Sequence, residues 1–314
     1  MLKLITLRLL GAIPTLAILS FFTFFIVHLI PGSVAQIMLG EAASAENIAI
    51  LEAELGLDDP LLIQYGRWLG GVLVGDWGES FRYQRAVAET MIERFPVTLQ
   101  ITVFALLLSV VFGISIGVLA SLSPGSWLDR LLITLSSLGI SIPSFWLALL
   151  LSLYFARQLG WFPVVGYTPP DENILKWLQG LVLPAIALSI PSSAVIARQM
   201  RASLLGVLQS DFVVALRASG ISERAIILKH GLKNALIPVI TVIGFRVTLI
   251  LDGSFVIETV FALPGLGSTL VAAVLFQDIP IIQAGVMIAG VLVVVTNLLV
   301  DISYGWLNPK VRVS

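Results

Sequence analysis

The chain has 314 residues, of which 58% are hydrophobic and only 12% are charged, and its formal net charge is −1. A soluble globular domain carries about 25% charged residues, so this composition excludes a water-soluble globule, while a mean hydropathy of +1.01 excludes a disordered chain. The absence of cysteine excludes disulfides and thiolate chemistry, two histidines are too few for a histidine-rich metal site, and the near-zero charge gives no basic footprint for nucleic acid. A polytopic membrane protein remains.

Six apolar stretches along the chain are long enough to cross a membrane. A bilayer core of about 30 Å requires about 20 apolar residues in a helix. The six stretches cover residues 9–30, 99–122, 131–156, 181–197, 236–257 and 281–300. None of them alternates between apolar and polar residues, so they predict helices rather than barrel strands. We therefore expect an all-α membrane protein with six transmembrane helices.

The distribution of charge predicts how these spans are oriented. Residues 198–236 carry six basic and two acidic side chains, a balance of +4, whereas residues 32–97 carry four basic and ten acidic ones, a balance of −6. Basic loops remain in the cytoplasm. We therefore expect a single transmembrane domain over residues 1–314, with residues 1–8, 198–236 and 304–314 in the cytoplasm. Both termini then lie inside the cell, and the acidic segment lies outside.

The acidic segment is too long for a turn, and its pattern predicts three short helices at 45–55, 61–74 and 87–95. Pro96 is expected to end the third helix where the second span begins. Partly apolar loop helices of this kind either cap a helix bundle or dock a partner protein. Both interpretations remain open at the level of sequence.

The basic segment predicts a helical continuation of the fourth span, followed by two short amphipathic helices. The second short helix is expected over 223–232, and the fifth span after it. The residues expected to begin or end these helices are Ser210 or Asp211, Gly220, Ser222 and Pro238. Two basic amphipathic helices joined at a glycine fit a groove in a soluble partner.

Catalytic motifs are weak in this sequence. Gly113-Ile114-Ser115-Ile116-Gly117 matches the G-x-S-x-G of hydrolases, but it lies within an apolar stretch, where G-x-x-x-G spacing predicts close helix packing. The dipeptide Gly-Lys is absent, so the chain lacks the usual phosphate-binding loop for ATP. Asp252 and Asp301 are predicted on opposite sides of the membrane, where they cannot form a protease pair. An intramembrane enzyme is therefore a remote alternative.

Arg246 and Asp252 are the ionisable residues within the fifth predicted span. Such groups are costly in a membrane, and they usually face a cavity, a pathway or a partner charge. Six positions along a helix place the two residues about 120° apart, so they do not share one face. We expect both to line a translocation pathway, with simple hydration near the membrane surface as the alternative for Asp252.

Short motifs along the whole chain resemble one protein family. They are Leu29–Gly32, Glu54–Pro60, Gln64–Leu69, Gly75–Gly78, Ser126–Arg130, Ser141–Trp146, Leu159–Pro163, Glu258–Gly267 and Leu307–Lys310. With these motifs the chain resembles the membrane permease subunit of bacterial ABC importers for dipeptides, oligopeptides and nickel. The resemblance implies a type I importer permease fold, with short periplasmic helices and a cytoplasmic coupling helix.

Residues 215–238 resemble the EAA loop of importer permeases, whose short coupling helix docks into the ATPase subunit. Val214 and Leu216 stand where the name of the loop has Glu and its second Ala, while the glycine hinge is retained as Gly220. The resemblance implies that eight residues couple the chain to the ATPase. They are Ala215, Arg217, Ala218, Gly220, Ser222, Glu223, Lys229 and His230.

The resemblance also implies the partners. These are a second homologous permease, two ABC ATPase subunits that use ATP and Mg²⁺, and an extracytoplasmic substrate-binding protein. The chain itself would bind no cofactor or metal, would have no catalytic residue, and would lie in the lipid of a bacterial inner membrane. Peptides are the favoured solute, because Arg246 would repel a bare cation in a narrow pore. Nickel, or a small solute resembling glutathione, is the alternative.

Overall fold

The computed structural model describes residues 2–27, 34–39 and 43–307. Within these ranges the chain is helical, and its β-type pairing is limited to an isolated bridge between Glu79 and Ala86. The all-α prediction is therefore confirmed. The end of the first predicted span, residues 28–30, and the C-terminal residues 308–314 lie outside the described residues.

The helices follow one another in this order. They are α1 (Leu2–Val27), α2 (Val34–Leu39), α3 (Ala45–Leu55), α4 (Leu61–Val74), α5 (Val87–Leu122), α6 (Trp127–Ser141), α7 (Ser144–Leu151), α8 (Ile174–Leu208), α9 (Asp211–Ala218), α10 (Glu223–Ala225), α11 (Leu232–Val260), α12 (Leu266–Leu275) and α13 (Ile279–Leu307). π-Helical turns extend α7 over Ser152–Gln158 and join α10 to α11 over Ile226–Gly231. Helices α3 and α4 have the predicted bounds.

Five helical stretches among the described residues are long and apolar enough to cross a membrane. They are Thr6–Ile26, Val87–Leu122, Ile174–Leu208, Glu223–Val260 and Ile279–Val300. Helices α6 and α7 are bent by 100° relative to each other, and they supply a sixth crossing when the bent pair is counted as one span. That count agrees with the predicted six-helix permease fold.

The third predicted span is not one straight helix. Helix α6 ends at Ser141, Ile142 is extended with φ −85° and ψ 121°, and Pro143 precedes α7. The proline ring disfavours helical backbone in the residue before it, so the helix ends there. The expectation of an unbroken helix over 131–156 is therefore wrong.

Two other prolines do not end helices, contrary to expectation. Helix α5 continues through Pro96, and the helix that starts at Glu223 continues past Pro238 into the fifth span. A proline removes one backbone hydrogen bond, whereas a helix end leaves four donors or acceptors without helical partners. In apolar surroundings the continuous helix is the cheaper arrangement, because unsatisfied backbone groups are costly there.

The chain divides into two compact units. One comprises residues 97–264 with 296–307, and the other comprises the described residues of 2–96 with 265–295. In the first unit α8 is central, since 67% of its apolar window is buried and it packs against α6, α7 and α11. The core of the second unit contains Val87, Met91, Leu266, Ala273, Ile281 and Ala284.

Close packing of α5 on α8 depends on two glycines. A Cβ added to Gly113 would lie 2.7 Å from the Ile196 side chain, and one added to Gly117 would lie 2.6 Å from the backbone oxygen of Ala197. Ser115, between these glycines, is exposed on a continuous helix. The G-x-x-x-G interpretation is confirmed, because a hydrolase serine would require a sharp turn between a strand and a helix.

Candidate coupling and pathway sites

The short helix α9 forms where the sequence predicts it. Ser210 occupies the N-cap position with extended backbone, although its hydroxyl bonds the carbonyl of Val207 rather than capping α9. Asp211 begins the helix and places a carboxylate in its first turn, where the helix dipole favours negative charge.

Gly220 follows the end of this helix with a left-handed backbone conformation, which glycine adopts readily. Its φ is +76°, in the left-handed region that residues with a Cβ rarely adopt. Its N–H bonds the carbonyl of Arg217 at 3.0 Å, and the next N–H, of Ile221, reaches the carbonyl of Leu216 at 3.2 Å. These two bonds satisfy carbonyls at the helix end and reverse the chain toward α10.

Helix α9 has one anchored side and one exposed side. Val213 is fully buried, whereas Phe212 and Val214 are 43% and 56% exposed. Ala215 and Ala218 are exposed beside them. Four of the exposed residues of α9 are apolar; we call this set the α9 knob and define it as Phe212, Val214, Ala215 and Ala218.

Arg217 contributes to positioning α9. Its Nε lies 2.5 Å from Glu223 Oε1, its Nη2 lies 3.2 Å from Oε2, and its Nη1 reaches the carbonyl of Leu208 at 3.4 Å. The hydrogen bond with Glu223 raises the pKa of Arg217. One guanidinium thus joins α9 to the start of α10 and to the last residue of α8.

The remaining predicted coupling residues lie on α10 and the π-helical turn after it. Ser222 is the N-cap residue of α10 but makes no side-chain capping bond. Lys229 is exposed and His230 is half-buried, with its carbonyl accepting from Asn234 Nδ2 at 2.9 Å. Ile226, between Ser222 and Lys229, is fully buried and anchors the turn.

Helices α8 and α11 carry this loop on a rigid base. The hydroxyl of Ser203 donates to the carbonyl of Ala235 at 2.8 Å. Gly231 allows a close approach, since a Cβ there would lie 3.1 Å from Leu204. The C-terminal part of α8 and the start of α11 are therefore held together where the loop between them begins and ends.

A buried ion pair lies near the same end of α8 and was missed by sequence reasoning. Arg201 Nε and Nη2 each lie 2.6 Å from an oxygen of Asp129, whose side chain is only 4% exposed. Asp129 also accepts from the N–H of Gly125 at 2.8 Å. The sequence contains both charges but no local signal that pairs residues 72 positions apart.

A second buried contact joins α5 to α11. The hydroxyl of Thr98 donates to Glu258 Oε1 at 2.6 Å, and both side chains are buried. Gln100, two residues further along α5, accepts from Tyr167 Oη and Trp177 Nε1, each at 2.9 Å. These polar contacts join this part of α5 to α8, α11 and the loop before α8.

The predicted pathway residues are not brought together. Arg246 is half-buried and Asp252 is exposed, and no ion pair is seen for either among the described residues. The same part of the chain contains no group of three or more His, Cys, Asp or Glu side chains that could hold a metal. Both residues remain open to a partner surface or a water-filled path.

Comparison with known families covers almost the entire chain. Residues 109–313 match the family described as binding-protein-dependent transport system inner membrane component. Residues 1–102 match the N-terminal part described for the same kind of transport protein. With the apolar helices, this match indicates a multi-pass inner-membrane protein that works with other transporter components.

Two relatives that align along nearly the whole chain are transport system permease proteins. The glutathione transport system permease protein of Salmonella paratyphi A is 42% identical over 312 residues, covering 99% of both chains. The dipeptide transport system permease protein of Alkalihalophilus pseudofirmus is 37% identical over 325 residues, covering 97% of this chain and 98% of that one.

A solved structure shares the fold. The inward-facing MetNI methionine ABC transporter matches with a TM-score of 0.58 at 19% identity, over 69% of this chain and 96% of that chain. The family consists of transport subunits rather than enzymes. The chain therefore belongs to the binding-protein-dependent transport system inner membrane component family, as a permease subunit of an ABC importer.

Proposed function

We propose that the chain forms, with a second homologous permease, the translocation path for peptides that a substrate-binding protein delivers. Two relatives that align along nearly the whole chain are named for dipeptide and glutathione transport. Both solutes are small, polar and built from amino acids. Glutathione is therefore the second candidate within the same chemistry, and nickel remains an alternative of the same family.

The α9 knob is the observation that supports the coupling of this chain to an ATPase. Its apolar side chains are exposed on a helix that buried Val213 and the Arg217–Glu223 ion pair hold in place. An apolar helix face of this kind fits a groove in a partner protein. We assign that groove to an ABC ATPase, two copies of which would bind ATP and Mg²⁺ and supply the energy that this chain does not.

Each predicted coupling residue has a place in this arrangement. Ala215 and Ala218 would contact the ATPase directly, while Arg217 and Glu223 would position α9. Gly220 would provide the turn, and three side chains after it would extend the contact. This last group contains Ser222, Lys229 and His230.

ATPase closure would move α9, and the connected helices would transmit that displacement. Arg217 contacts the end of α8, and Arg201 on α8 holds Asp129 at the start of α6. Both are charge-assisted hydrogen bonds, which have strong geometric preferences. The membrane helices would then alternate between openings toward the inside and the outside.

Arg246 and Asp252 would line the translocation path. A charged side chain within a membrane span usually faces a partner charge. The carboxylate of a passing peptide supplies one. Exposed Asp252, about 9 Å further along the helix axis, would meet the peptide amino group.

The proposed topology places a single domain over 1–314 across the membrane, with both termini and the 198–236 loop inside the cell. Fusions of a reporter that is active only in the periplasm test it. A fusion after Asp58 should be active, and a fusion after the last residue should be inactive. The reverse pattern would overturn the topology.

Uptake measurements test the solute. Cells with and without this subunit are given labelled dipeptides, longer peptides, glutathione and ⁶³Ni²⁺. Loss of peptide uptake in the deletion strain, restored by the intact gene, supports the proposal. Loss of uptake confined to glutathione or to nickel would identify that compound, rather than peptides, as the solute. Unchanged uptake of all four would contradict the proposed function.

A further inference from the structure

Helix α4 packs against the first membrane-spanning helix through aromatic side chains. The ring centroids of Phe24 and Trp68 are 5.7 Å apart, and those of Phe21 and Tyr65 are 5.8 Å apart. The hydroxyls of Ser20 and Tyr65 are hydrogen-bonded at 2.8 Å. Three side chains within about one and a half turns of α1 therefore contact a helix that the sequence alone assigns to the aqueous segment 32–97.

The partner of Tyr65 lies well inside the span. Ser20 is six residues before Ile26, where the apolar window Thr6–Ile26 ends. At 1.5 Å per residue, Ser20 lies about 9 Å from that end of the window. Half of a bilayer core is about 15 Å thick. A hydrogen bond at that position places Tyr65, and the middle of α4 with it, below the membrane surface.

The outward side of α4 has the composition that this depth requires. Leu62, Ile63, Leu73 and Val74 are 70%, 54%, 78% and 82% exposed. At 100° per residue these four lie within about 120° of one another, so they form one face. Gly66 and Gly70 lie between them on that face and add no polar group.

Gln64 and Arg67, two polar side chains of α4, have hydrogen-bonding partners within the chain. Gln64 is buried, and its Nε2 donates to the carbonyls of Leu57 and Asp59, each at 2.8 Å. Arg67 forms an ion pair with the Asp59 side chain at 2.5 Å. These partners come from the turn before α4, so the polar groups are held toward one end of the helix.

We infer that α4 lies beside α1 within the lipid bilayer, with the face formed by Leu62, Ile63, Leu73 and Val74 in contact with lipid acyl chains. The helix is about 21 Å long, shorter than the bilayer core, so it enters and leaves on one side. This surface is neither a cap in water nor a docking site for a soluble protein.

The absence of cysteine makes the inference directly measurable. Single cysteines at Ile63 and Leu73 are spin-labelled in the assembled importer, purified and reconstituted in phosphatidylethanolamine–phosphatidylglycerol vesicles. Collision with oxygen, which concentrates in lipid, is compared with collision with the water-soluble complex Ni-EDDA. Ile18→Cys in α1 and Ile50→Cys in the acidic helix α3 are matched controls, since these isoleucines are 59% and 53% exposed.

The ratio of oxygen to Ni-EDDA collisions at Ile63→Cys and Leu73→Cys should match that at Ile18→Cys, and exceed that at Ile50→Cys several-fold. A ratio equal to that of Ile50→Cys would show that α4 lies in water. Weak collision with both reagents would show that another subunit covers the face. Either result overturns the inference, and neither depends on solute uptake.

Discussion

Arg201 and Asp129 form a bidentate ion pair, with both nitrogen–oxygen distances at 2.6 Å, between the C-terminal part of α8 and the first turn of α6. The aspartate is almost completely buried and the arginine is 28% exposed. The pair therefore links the end of α8 that leads into α9 to the bent α6–α7 pair. Its loss should affect both the stability of the chain and the transmission of movement.

Asp129→Asn should destabilise the protein strongly. Removing one partner of a buried ion pair leaves the other charge uncompensated, at a cost of about 3–5 kcal/mol. The free energy of SDS-driven unfolding in mixed micelles measures the effect. The control is Glu93→Gln, which breaks the exposed Arg85–Glu93 pair and should cost about 1 kcal/mol or less. Equal effects of the two substitutions would contradict the importance of burial.

Two threonines one helical turn apart should respond in opposite ways to the same substitution. Thr98 donates to buried Glu258, so Thr98→Val should cost about 1–3 kcal/mol. The hydroxyl of Thr102 is buried without a hydrogen-bond partner among the described residues, so Thr102→Val should be neutral or stabilising. Unfolding of both variants in the same micelles provides the comparison. Similar losses at both sites would contradict the hydrogen-bond assignment.

Gly117→Ala should weaken the packing of α5 on α8. The added methyl would lie 2.6 Å from a backbone oxygen that cannot move aside, and overpacking of this kind costs about 1–3 kcal/mol. Gly11→Ala is the control, because a Cβ there meets nothing within 4 Å. In that helix alanine should be stabilising, by up to about 1 kcal/mol. Thermal unfolding of the two variants should therefore shift in opposite directions.

Gly220→Val should separate ATP hydrolysis from solute uptake. A Cβ at Gly220 meets nothing within 4 Å, so the strain comes only from φ of +76° and amounts to at least about 1–2 kcal/mol. The turn would change, and the α9 knob would be displaced from its partner. Uptake and ATPase activity are measured in the reconstituted importer. Gly220→Asn, which tolerates this backbone region, should retain most uptake, and full coupling in the valine variant would exclude the hinge role.

Arg246→Ala should reduce uptake without preventing assembly of the importer. The half-buried guanidinium makes no ion pair among the described residues, so its removal leaves no partner charge unpaired. Copurification of the subunits measures assembly, and uptake of anionic, neutral and cationic peptides measures the pathway. The largest loss is expected for anionic peptides. Unchanged uptake of all three would assign Arg246 to packing alone.

Local patterns were sufficient to predict much of this protein. Apolar runs of about 20 residues predict membrane helices because the hydrocarbon thickness sets the length that every span must reach. The bounds of α3 and α4 and the turn at Gly220 also follow from short-range rules, since caps and positive φ depend on neighbouring residues. These features need no knowledge of distant parts of the chain.

The behaviour of proline and the polar pairs depended on tertiary structure. Pro143 ends a helix while Pro96 and Pro238 do not, because the outcome depends on which backbone groups the surroundings can satisfy. Asp129 with Arg201, and Thr98 with Glu258, meet across 72 and 160 positions, which no local periodicity specifies. Composition determined that this chain enters a membrane, whereas packing between distant helices decided which polar groups could be buried there with a partner.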